Sequence, residues 1–434
     1  MMNRILCYCL LLLAAAPTAW SETDKTAADL GLMAGFPPAQ DRQVSRDNFM
    51  GPPYNRWSLR HIRELQPTRE VYRGTGPVVP LSESGLDVSS VVATVRNGRQ
   101  LNLDQFLDES HTDSFVLLHR GKIVYERYMN GQQQHTQHQM FSATKSFVGT
   151  LMLLLIEQGK VDASRHVAHY VPELKGSAFA DATVQQVMDM TTAVSYTEIY
   201  DDPDSDIWRY GRVFSVWGAS PADYDGPLTV YDYLPTLQKK GQHGEAFHYV
   251  TPNTDVLAWI ISRVTGKSLT RMMEDVFWQQ LGVERDGYFW LDRATTEMAG
   301  GGLNISARDA ARFGQMILQK GRYNGKQIIP ASIAEQILQP GDPEVFTKYY
   351  EDAWYGQVAH SYHDQWWTFN NAHKAVSAIG VHGQYIYLDA TAQMVVVKQS
   401  SSPDAEGGAN DSNDTDGPLL YQAIAEYLVK QGGQ

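Results

Sequence analysis

The stretch that decides the fold of this 434-residue chain is Phe141-Ser-Ala-Thr-Lys-Ser-Phe-Val-Gly-Thr-Leu-Met-Leu-Leu-Leu-Ile156. Its long apolar run predicts a buried helix with Ser142 in the first turn. Lys145 follows three residues later, on the same helical face as Ser142. The N-terminal end of a helix has unpaired N–H groups and a positive dipole, which stabilise negative charge developing on a serine. A lysine in apolar surroundings resists protonation, so it can accept the hydroxyl proton.

Taken alone, Ser-x-x-Lys is a weak signal, because about one is expected by chance in a chain of this length. The alternative interpretation is a serine that caps the helix and a lysine on the surface. Two observations favour the chemical interpretation. The motif occurs once in the sequence, and the apolar run after it is unsuitable for a surface lysine.

A second candidate segment is Phe247-His-Tyr-Val-Thr-Pro-Asn253, which leads into an apolar helical pattern. Tyr249 is predicted on the loop before that helix, where its phenol could meet Lys145 and relay a proton to a leaving group. The alternative is a tyrosine packed on the core with its hydroxyl bonded, and the segment in isolation favours that alternative.

A third candidate segment is Ser377-Ala-Ile-Gly-Val-His-Gly-Gln384. Its two glycines would let the backbone approach a ligand closely, as an oxyanion hole made of main-chain N–H groups requires. The alternative is a bulge on an edge strand. His382 could be a base, although one histidine without an evident acidic partner is more often structural.

Composition excludes several other classes of function. The 36 Lys and Arg against 49 Asp and Glu give a net charge of −13, which disfavours nucleic acids and anionic membranes as partners. Cys7 and Cys9 are the two cysteines, so a disulfide scaffold, a cysteine zinc site and a cysteine nucleophile are not expected. His135 and His138 lack a third ligand nearby in the sequence. We expect no metal and no cofactor.

The first 21 residues are predicted to be a cleaved signal peptide. Arg4 precedes an apolar run over residues 5–16, and Ala19-Trp-Ser21 offers small residues at a cleavage point. An uncleaved anchor is the alternative, but the run is short of a full membrane span. The mature protein is therefore expected to be periplasmic or secreted, without membrane insertion.

Strand signals stand at both ends of the remaining chain, with helix signals between them. Residues 22–100 are rich in Pro and Gly and are predicted to be an extended segment that wraps a domain of residues 101–434. The predicted strands are 115–118, 123–125, 384–388 and 394–398, and the predicted helices are 146–158, 182–190, 255–264, 307–320, 331–338 and 419–429. This order predicts an α+β fold, with an antiparallel sheet formed by both chain ends and a helical insertion.

The three candidate segments together resemble the serine β-lactamase and penicillin-binding superfamily, in its class C-like branch. That pattern is Ser-x-x-Lys, a tyrosine motif about a hundred residues later, and a glycine-containing strand near the C-terminus. Here these are Ser142 to Lys145, Tyr249 and Gly380-Val381. Within the branch, the chain is most similar to 6-aminohexanoate-dimer (nylon-oligomer) hydrolases and related esterases, from about residue 52 to its end. The resemblance implies a β-lactamase/DD-peptidase-like sheet flanked by helices.

The resemblance also implies roles for individual residues. Ser142 would be the nucleophile, Lys145 its general base, and Tyr249 a member of the same proton network. The backbone N–H groups of Ser142 and Val381 would form the oxyanion hole. The residues expected at the substrate are Tyr200, Asn253 and His382, of which Tyr200 would hold and protonate amides.

The chain departs from the class C pattern at two places. Tyr-x-Asn is replaced by Tyr249-Val-Thr251, with Asn253 further on, and Lys-Thr-Gly is replaced by Ala378-Ile-Gly380. The second change removes a cation that would bind the carboxylate of a β-lactam or a D-Ala-D-Ala peptide. A charged hydrogen bond contributes about 1.5–3 kcal/mol, so such ligands should bind about ten- to a hundredfold more weakly.

The sequence therefore predicts a serine hydrolase that cleaves esters or linear amides through an acyl-enzyme. One alternative is a DD-peptidase or weak β-lactamase, and another is a non-catalytic peptide-binding protein of the same fold. The expected partner is a small ester or amide. The oligomeric state is left open.

Overall fold

The computed structural model describes residues 25–214, 224–350, 358–406 and 412–432, so the predicted signal peptide lies outside the described residues. The strands are β1 (Thr68–Val71), β2 (Val92–Thr94), β3 (Gln100–Asn102), β4 (Thr112–His119), β5 (Lys122–Tyr128), β6 (His138–Gln139), β7 (Gly287–Trp290), β8 (Leu303–Ile305), β9 (Arg322–Tyr323), β10 (Lys326–Gln327), β11 (Ala359–His363), β12 (Trp366–Phe369), β13 (Val376–Gly380), β14 (Gln384–Asp389) and β15 (Met394–Ser400). The α-helices are α1 (Asn55–Ser58), α2 (Ile62–Leu65), α3 (Leu103–Glu109), α4 (Thr144–Glu157), α5 (Val167–Tyr170), α6 (Val184–Met188), α7 (Asp206–Val213), α8 (Val230–Tyr233), α9 (Pro252–Thr265), α10 (Leu269–Met273), α11 (Gln279–Leu281), α12 (Ala307–Leu318), α13 (Ala331–Ile337), α14 (Pro343–Tyr350), α15 (Ser412–Thr415) and α16 (Gly417–Gly432).

The central sheet has seven antiparallel strands in the order β11-β12-β13-β14-β15-β4-β5. Strand β15 pairs with β4, so Val397 lies opposite Val116 and a strand from late in the chain completes a sheet begun near its start. The predicted α+β fold, with a sheet formed by both chain ends, is confirmed.

Both faces of this sheet are covered, which explains the unbroken apolar run of β15. Val395 and Val397 face the larger core on the side of α12, whereas Val396 faces a second core with Tyr421 of α16. Alternate residues of one strand point to opposite faces, so each face supplies one core. The prediction that helices flank the sheet is confirmed, and the structure shows them on both faces.

The helical elements between the two hairpins carry the candidate site. Helix α4 is buried along nearly its whole length and packs against α9. Gly149 permits this depth, because an added Cβ would lie 2.3 Å from the backbone oxygen of Asp364. The apolar run that follows Lys145 is therefore the centre of the insertion.

The N-terminal segment joins the body through short elements. Strand β1 pairs with β7 in a four-stranded sheet, β1-β7-β8-β6. Strand β2 pairs with β3, which extends past the predicted boundary at residue 100. Phe49 and Ile62 are fully buried in the larger core. Residues 25–100 thus contact the body at several separate places, with exposed stretches between them.

Candidate active site

Ser142 stands at the entrance to α4. It lies in a short 3₁₀ helix, Phe141–Ala143, that continues directly into the α-helix. Phe141 has a φ of 44°, in the left-handed region that residues other than glycine seldom adopt. This turn brings the serine to the end of a helix where the backbone N–H groups lack helical partners.

Lys145 places its side-chain nitrogen beside the serine hydroxyl. Its Nζ lies 2.8 Å from Ser142 Oγ, 3.0 Å from Thr251 Oγ1 and 2.7 Å from the backbone oxygen of Gly300. The lysine is 1% exposed, so bulk water does not compete for these contacts.

The three contacts of the amine are not equivalent. The Gly300 oxygen can only accept, and Thr251 Oγ1 donates its own proton to Glu198 Oε1 at 2.6 Å, so it also accepts from the lysine. A neutral amine has two N–H bonds and one lone pair, and these two acceptors take both N–H bonds. The lone pair is then left for Ser142 Oγ, as a base for the hydroxyl proton requires.

Burial makes the neutral form of Lys145 more populated near neutral pH. It lowers the pKa of Lys145 from 10.5 to about 8, because the charged amine loses its hydration. The carboxylates of Glu198 and Asp255 act in the opposite direction and raise the pKa of the lysine. A base whose pKa lies near the working pH is well suited to proton transfer.

Tyr249 covers the lysine with the face of its ring. Lys145 Nζ lies 5.0 Å from the ring centroid, and the ring stacks on Trp367 with centroids 5.5 Å apart. The structure thus brings Tyr249 and Lys145 together through the aromatic face, which stabilises the amine when it is charged. Proton sharing through the phenol hydroxyl stays a prediction.

A carboxylate extends the hydrogen bonds of the lysine to Tyr200. Glu198 Oε2 accepts from the backbone N–H of Thr251 at 2.9 Å, and its Oε1 accepts from the Tyr200 hydroxyl at 2.9 Å. A continuous chain therefore runs from the serine hydroxyl through the amine, Thr251 and Glu198 to the phenol. Burial raises the pKa of Tyr200 well above its usual value, which keeps this phenol protonated.

Asp255 supports the backbone that receives the lysine. Its Oδ1 accepts from the backbone N–H of Ala299 at 3.0 Å, and its Oδ2 accepts from the Tyr210 hydroxyl at 2.6 Å. Burial raises the pKa of this carboxyl to about 7. Because Ala299 directly precedes Gly300, Asp255 positions the carbonyl oxygen that holds Lys145.

Strand β13 brings a second backbone segment against the serine. An added Cβ on Gly380 would lie 2.3 Å from the backbone oxygen of Met140 and 3.1 Å from the Ser142 nitrogen, so glycine is required here. Val381 follows and borders the same pocket as Ser142. Two N–H groups that converge on one position are what an oxyanion hole needs. The role of Ser142 and Val381 in such a hole stays a prediction.

Ser142 lies where two pockets meet, and Tyr200 and Val381 also border both of them. The first has about 560 Å³ of empty space and is called the acidic pocket; its other residues include Glu198, Tyr249, Trp367, Ile379, Glu406 and Asp414. The second has about 470 Å³ and is called the apolar pocket; its other residues include Met50, Phe141, Ile207, Trp208, Trp290 and Met298. A substrate whose scissile bond lies at Ser142 would place one of its two arms in each pocket.

Two predicted substrate-binding residues lie apart from these groups. Asn253 is fully buried in α9, where its amide donates to Thr192 Oγ1 at 2.9 Å, and it borders neither pocket in the described part of the chain. The helix turns this side chain into the core, so the structure does not bring it to a substrate. His382 is 4% exposed, and its Nδ1 lies 2.8 Å from the backbone oxygen of Ser402. It borders neither pocket and lies instead on a separate groove that Pro52 and Pro403 also border.

Thr251 and Glu198 take part in the site although no sequence pattern singled them out. Thr251 is a departure from Tyr-x-Asn, yet its hydroxyl contacts the lysine from the position of that asparagine. Its spacing from Tyr249 was the available signal. Glu198 precedes Tyr200 by two residues, a spacing that puts both side chains on one side of an extended segment.

Comparison with known proteins identifies the family. A model described as Beta-lactamase matches residues 102–417. The chain belongs to the beta-lactamase family. It is 35% identical over 373 residues to the 6-aminohexanoate-dimer hydrolase of Paenarthrobacter ureafaciens, covering 86% of this chain and 92% of that protein.

Solved structures agree with this family membership. A Bacillus anthracis protein provisionally described as a 6-aminohexanoate-dimer hydrolase matches with a TM-score of 0.79 and 34% identity, over 91% of this chain and 99% of that one. EstCE1, described as a hydrolase with promiscuous acyltransferase activity, shares the fold at a TM-score of 0.56 and 15% identity, over 75% and 96% of the two chains. This member of the beta-lactamase family is a serine hydrolase.

Proposed function

We propose that this chain hydrolyses esters and linear amides through an acyl-enzyme on Ser142, with amides of the 6-aminohexanoate-dimer type as the nearest substrate class. The observation that carries the proposal is the buried amine of Lys145, 2.8 Å from Ser142 Oγ, whose other two contacts are acceptors. The 35% identity to a 6-aminohexanoate-dimer hydrolase supports the substrate class.

In the first half of the proposed reaction, Lys145 accepts the Ser142 proton while Oγ bonds to the substrate carbonyl carbon. The carbonyl oxygen becomes negative and receives the N–H groups of Ser142 and Val381. The bond to the leaving group then breaks, and the proton held by Lys145 passes through the network with Tyr249 to the departing amine or alcohol. This leaves the acyl group on the serine.

In the second half, water attacks the acyl-enzyme and gives a proton to the same base. The ester bond to Ser142 breaks, the acid leaves, and the proton returns to Oγ. Tyr200 is proposed to hold the nitrogen of an amide substrate. Its hydroxyl donates its single proton to Glu198 in the free protein, so its oxygen can still accept from the N–H of an amide. To protonate the leaving nitrogen, the hydroxyl must first release Glu198.

A cell-wall substrate is a second candidate that receives less support. Among the described residues that border the two pockets, none is Lys or Arg, whereas Glu198, Glu406 and Asp414 border the acidic pocket. A substrate carboxylate in that pocket would lie beside Glu198 and Asp414, and like charges repel. Burial, together with repulsion from these two side chains, already raises the pKa of Glu406 to about 8. This agrees with the absence of Lys-Thr-Gly from β13.

Labelling with a fluorophosphonate probe tests whether the chain is a serine hydrolase at Ser142. We expect the native protein to be labelled and the variant Ser142→Ala to be unlabelled. Equal labelling of the two proteins would contradict the proposed nucleophile, and no labelling of either would support the non-catalytic binding alternative. A pre-steady-state burst with p-nitrophenyl butyrate then tests the acyl-enzyme.

A substrate panel separates the two catalytic candidates. Purified mature protein is offered p-nitrophenyl esters, the linear dimer of 6-aminohexanoate, its cyclic dimer and a chromogenic cephalosporin. We expect turnover of esters and the linear amide at rates well above that of the β-lactam. A preference for the β-lactam, or labelling by fluorescent penicillin at low concentration, would favour the cell-wall candidate.

We further propose that the chain is exported to the periplasm or beyond, after cleavage behind Ser21. The charge and apolar run of residues 4–16 support this. In the described ranges, no helix has the length and hydropathy needed to cross a bilayer. N-terminal sequencing of protein from a bacterial periplasmic fraction should begin at Glu22. An intact Met1 would contradict cleavage and favour the uncleaved anchor, and absence of the protein from that fraction would contradict export to the periplasm.

A further inference from the structure

We propose that Met50, which the N-terminal segment carries to the apolar pocket, determines the length of the unbranched apolar substrate arm beside Ser142. The inference rests on the proposed function and adds to it the chemistry of the group that fills this pocket. Met50 would act through contact with the substrate chain and would take no part in proton transfer.

Met50 forms one wall of the apolar pocket. It is 9% exposed and borders the pocket together with Trp208, Trp290 and Met298, which come from distant parts of the chain. The surface of this pocket is almost entirely apolar, so it suits methylene groups and disfavours charged ones. Ser142 borders this pocket, so an alkyl chain attached at the reacting carbonyl can enter the pocket directly, without first passing through solvent.

The residue before Met50 packs on another residue of the pocket lining. Phe49 is fully buried, and its ring lies 5.8 Å from that of Trp290, centroid to centroid. The backbone oxygen of Phe49 accepts from Ser58 Oγ at 2.5 Å. Since Trp290 itself borders the pocket, the contact between Phe49 and Trp290 fixes the backbone next to Met50 to a second residue of the lining.

The residues after Met50 are fixed to the central sheet. Asn55 Nδ2 donates to the backbone oxygen of Ser402 at 2.7 Å, and Arg56 Nη1 donates to Ser401 Oγ at 2.7 Å. Both donors are buried, and both acceptors directly follow β15. Residues 49–56 are therefore bound to the body at both ends, and the backbone that carries Met50 is held in place on both sides.

A methionine at this place limits depth in a way that substitution can alter. Its unbranched side chain fills space that a shorter residue would leave open. A larger residue would fill more of the pocket and shorten it. Each methylene that gains burial contributes about fourfold to an equilibrium constant at 25 °C. Removing most of the Met50 side chain should therefore favour longer chains by about that factor for each added methylene.

The test measures kcat/KM of Met50→Ala and Met50→Trp on two series of substrates. One series varies the acyl chain of p-nitrophenyl esters from two to eight carbons, and the other varies the alcohol chain of alkyl acetates over the same range. In one of the two series, we expect Met50→Ala to move the optimum to longer chains and Met50→Trp to move it to shorter ones. Met50→Leu conserves volume and should leave both optima unchanged.

Met33→Ala is the matched control, because Met33 lies in the same N-terminal segment, packs against the core and is not among the residues that border the apolar pocket. It should leave both chain-length profiles unchanged. Fluorophosphonate labelling and circular dichroism show whether each variant is folded and competent. If Met50→Ala and Met50→Trp are labelled like the native protein and neither profile moves, the inference is overturned while the proposed function stands. Absence of labelling in the native protein would instead overturn the proposed function.

Discussion

Thr251 Oγ1 lies 3.0 Å from Lys145 Nζ and donates its own proton to Glu198, so a hydroxyl joins the amine to a carboxylate. A hydroxyl can accept and donate at once, whereas each atom of a side-chain amide can do only one of the two. The replacement of Tyr-x-Asn by Tyr-x-Thr therefore connects the serine and lysine to Glu198 and Tyr200.

Thr251→Val should test this connection. The valine keeps the shape, but it leaves a lysine N–H without its acceptor and removes one of the two hydrogen bonds to Glu198 Oε1. We therefore expect kcat to fall by about ten- to a hundredfold, as for loss of a hydrogen bond to a charged group. Thr251→Ser restores the hydroxyl and should retain most activity. Equal activity of the valine and serine variants in a p-nitrophenyl butyrate assay would show that the connection has no catalytic value.

The pH dependence should follow the protonation of Lys145. Burial lowers its pKa to about 8, and the neutral form is the base, so kcat/KM should rise as the pH increases through about 8 and level off above it. Lys145→Ala should lose about a hundredfold or more in rate and should lose this rise. A profile that falls with pH across the same interval would mean that the charged amine is the active form.

Asp255→Asn should shift that profile toward lower pH. The Asp255 carboxylate raises the pKa of Lys145, so its removal lowers the pKa of the lysine and makes the base neutral at lower pH. A role confined to packing would lower activity by the same factor at every pH. The full profile of kcat/KM, compared with that of the native protein, therefore distinguishes electrostatic from purely structural action.

Tyr200→Phe should affect amides more than esters. An alkoxide leaves more easily than an amine, so an ester depends less on a phenol that holds and protonates the leaving nitrogen. We expect a loss of about ten- to a hundredfold on the linear amide and a small change on p-nitrophenyl butyrate. Equal losses on both substrates would assign Tyr200 to the support of Glu198 instead.

Gly380→Ala should disturb the fold at the serine. Its new Cβ would need the place 2.3 Å from the Met140 oxygen, and overpacking of this kind costs about 1–3 kcal/mol. We expect a lower melting temperature and slower fluorophosphonate labelling. Gly176→Ala is the control, because an added Cβ there has no neighbour within 4 Å among the described residues. Similar melting temperatures for the two variants would contradict the close approach of β13 to Ser142.

The elements of the fold could be predicted because their patterns are local. The run after Lys145 predicts a helix over 146–158, and the structure has Thr144–Glu157. The strand predicted at 394–398 is part of Met394–Ser400. Apolar periodicity and turn residues suffice for such elements, since the residues that specify them are neighbours in the chain.

The site could be predicted only in part, because its remaining contacts join distant residues. The pairing of Ser142 with Lys145 follows from helical spacing, but the contact between Lys145 and Gly300 spans 155 residues and leaves no local pattern. The family resemblance implied Asn253 at the substrate, but the side chain is fully buried in α9 and donates to Thr192. Met50 was hidden for the same reason, as the segment that carries it has no periodicity.

The pairing of β15 with β4 also bears on when the enzyme can become active during synthesis. Lys398 of β15 lies opposite Phe115 of β4, 283 positions earlier, so this interior strand of the sheet is made long after its neighbour. Contacts of such separation form slowly because a long loop must close first. When Ser142 and Lys145 have left the ribosome, the nascent chain still lacks β15, the strand that completes the sheet. Hydrolysis must therefore wait until the C-terminal part of the chain has been made.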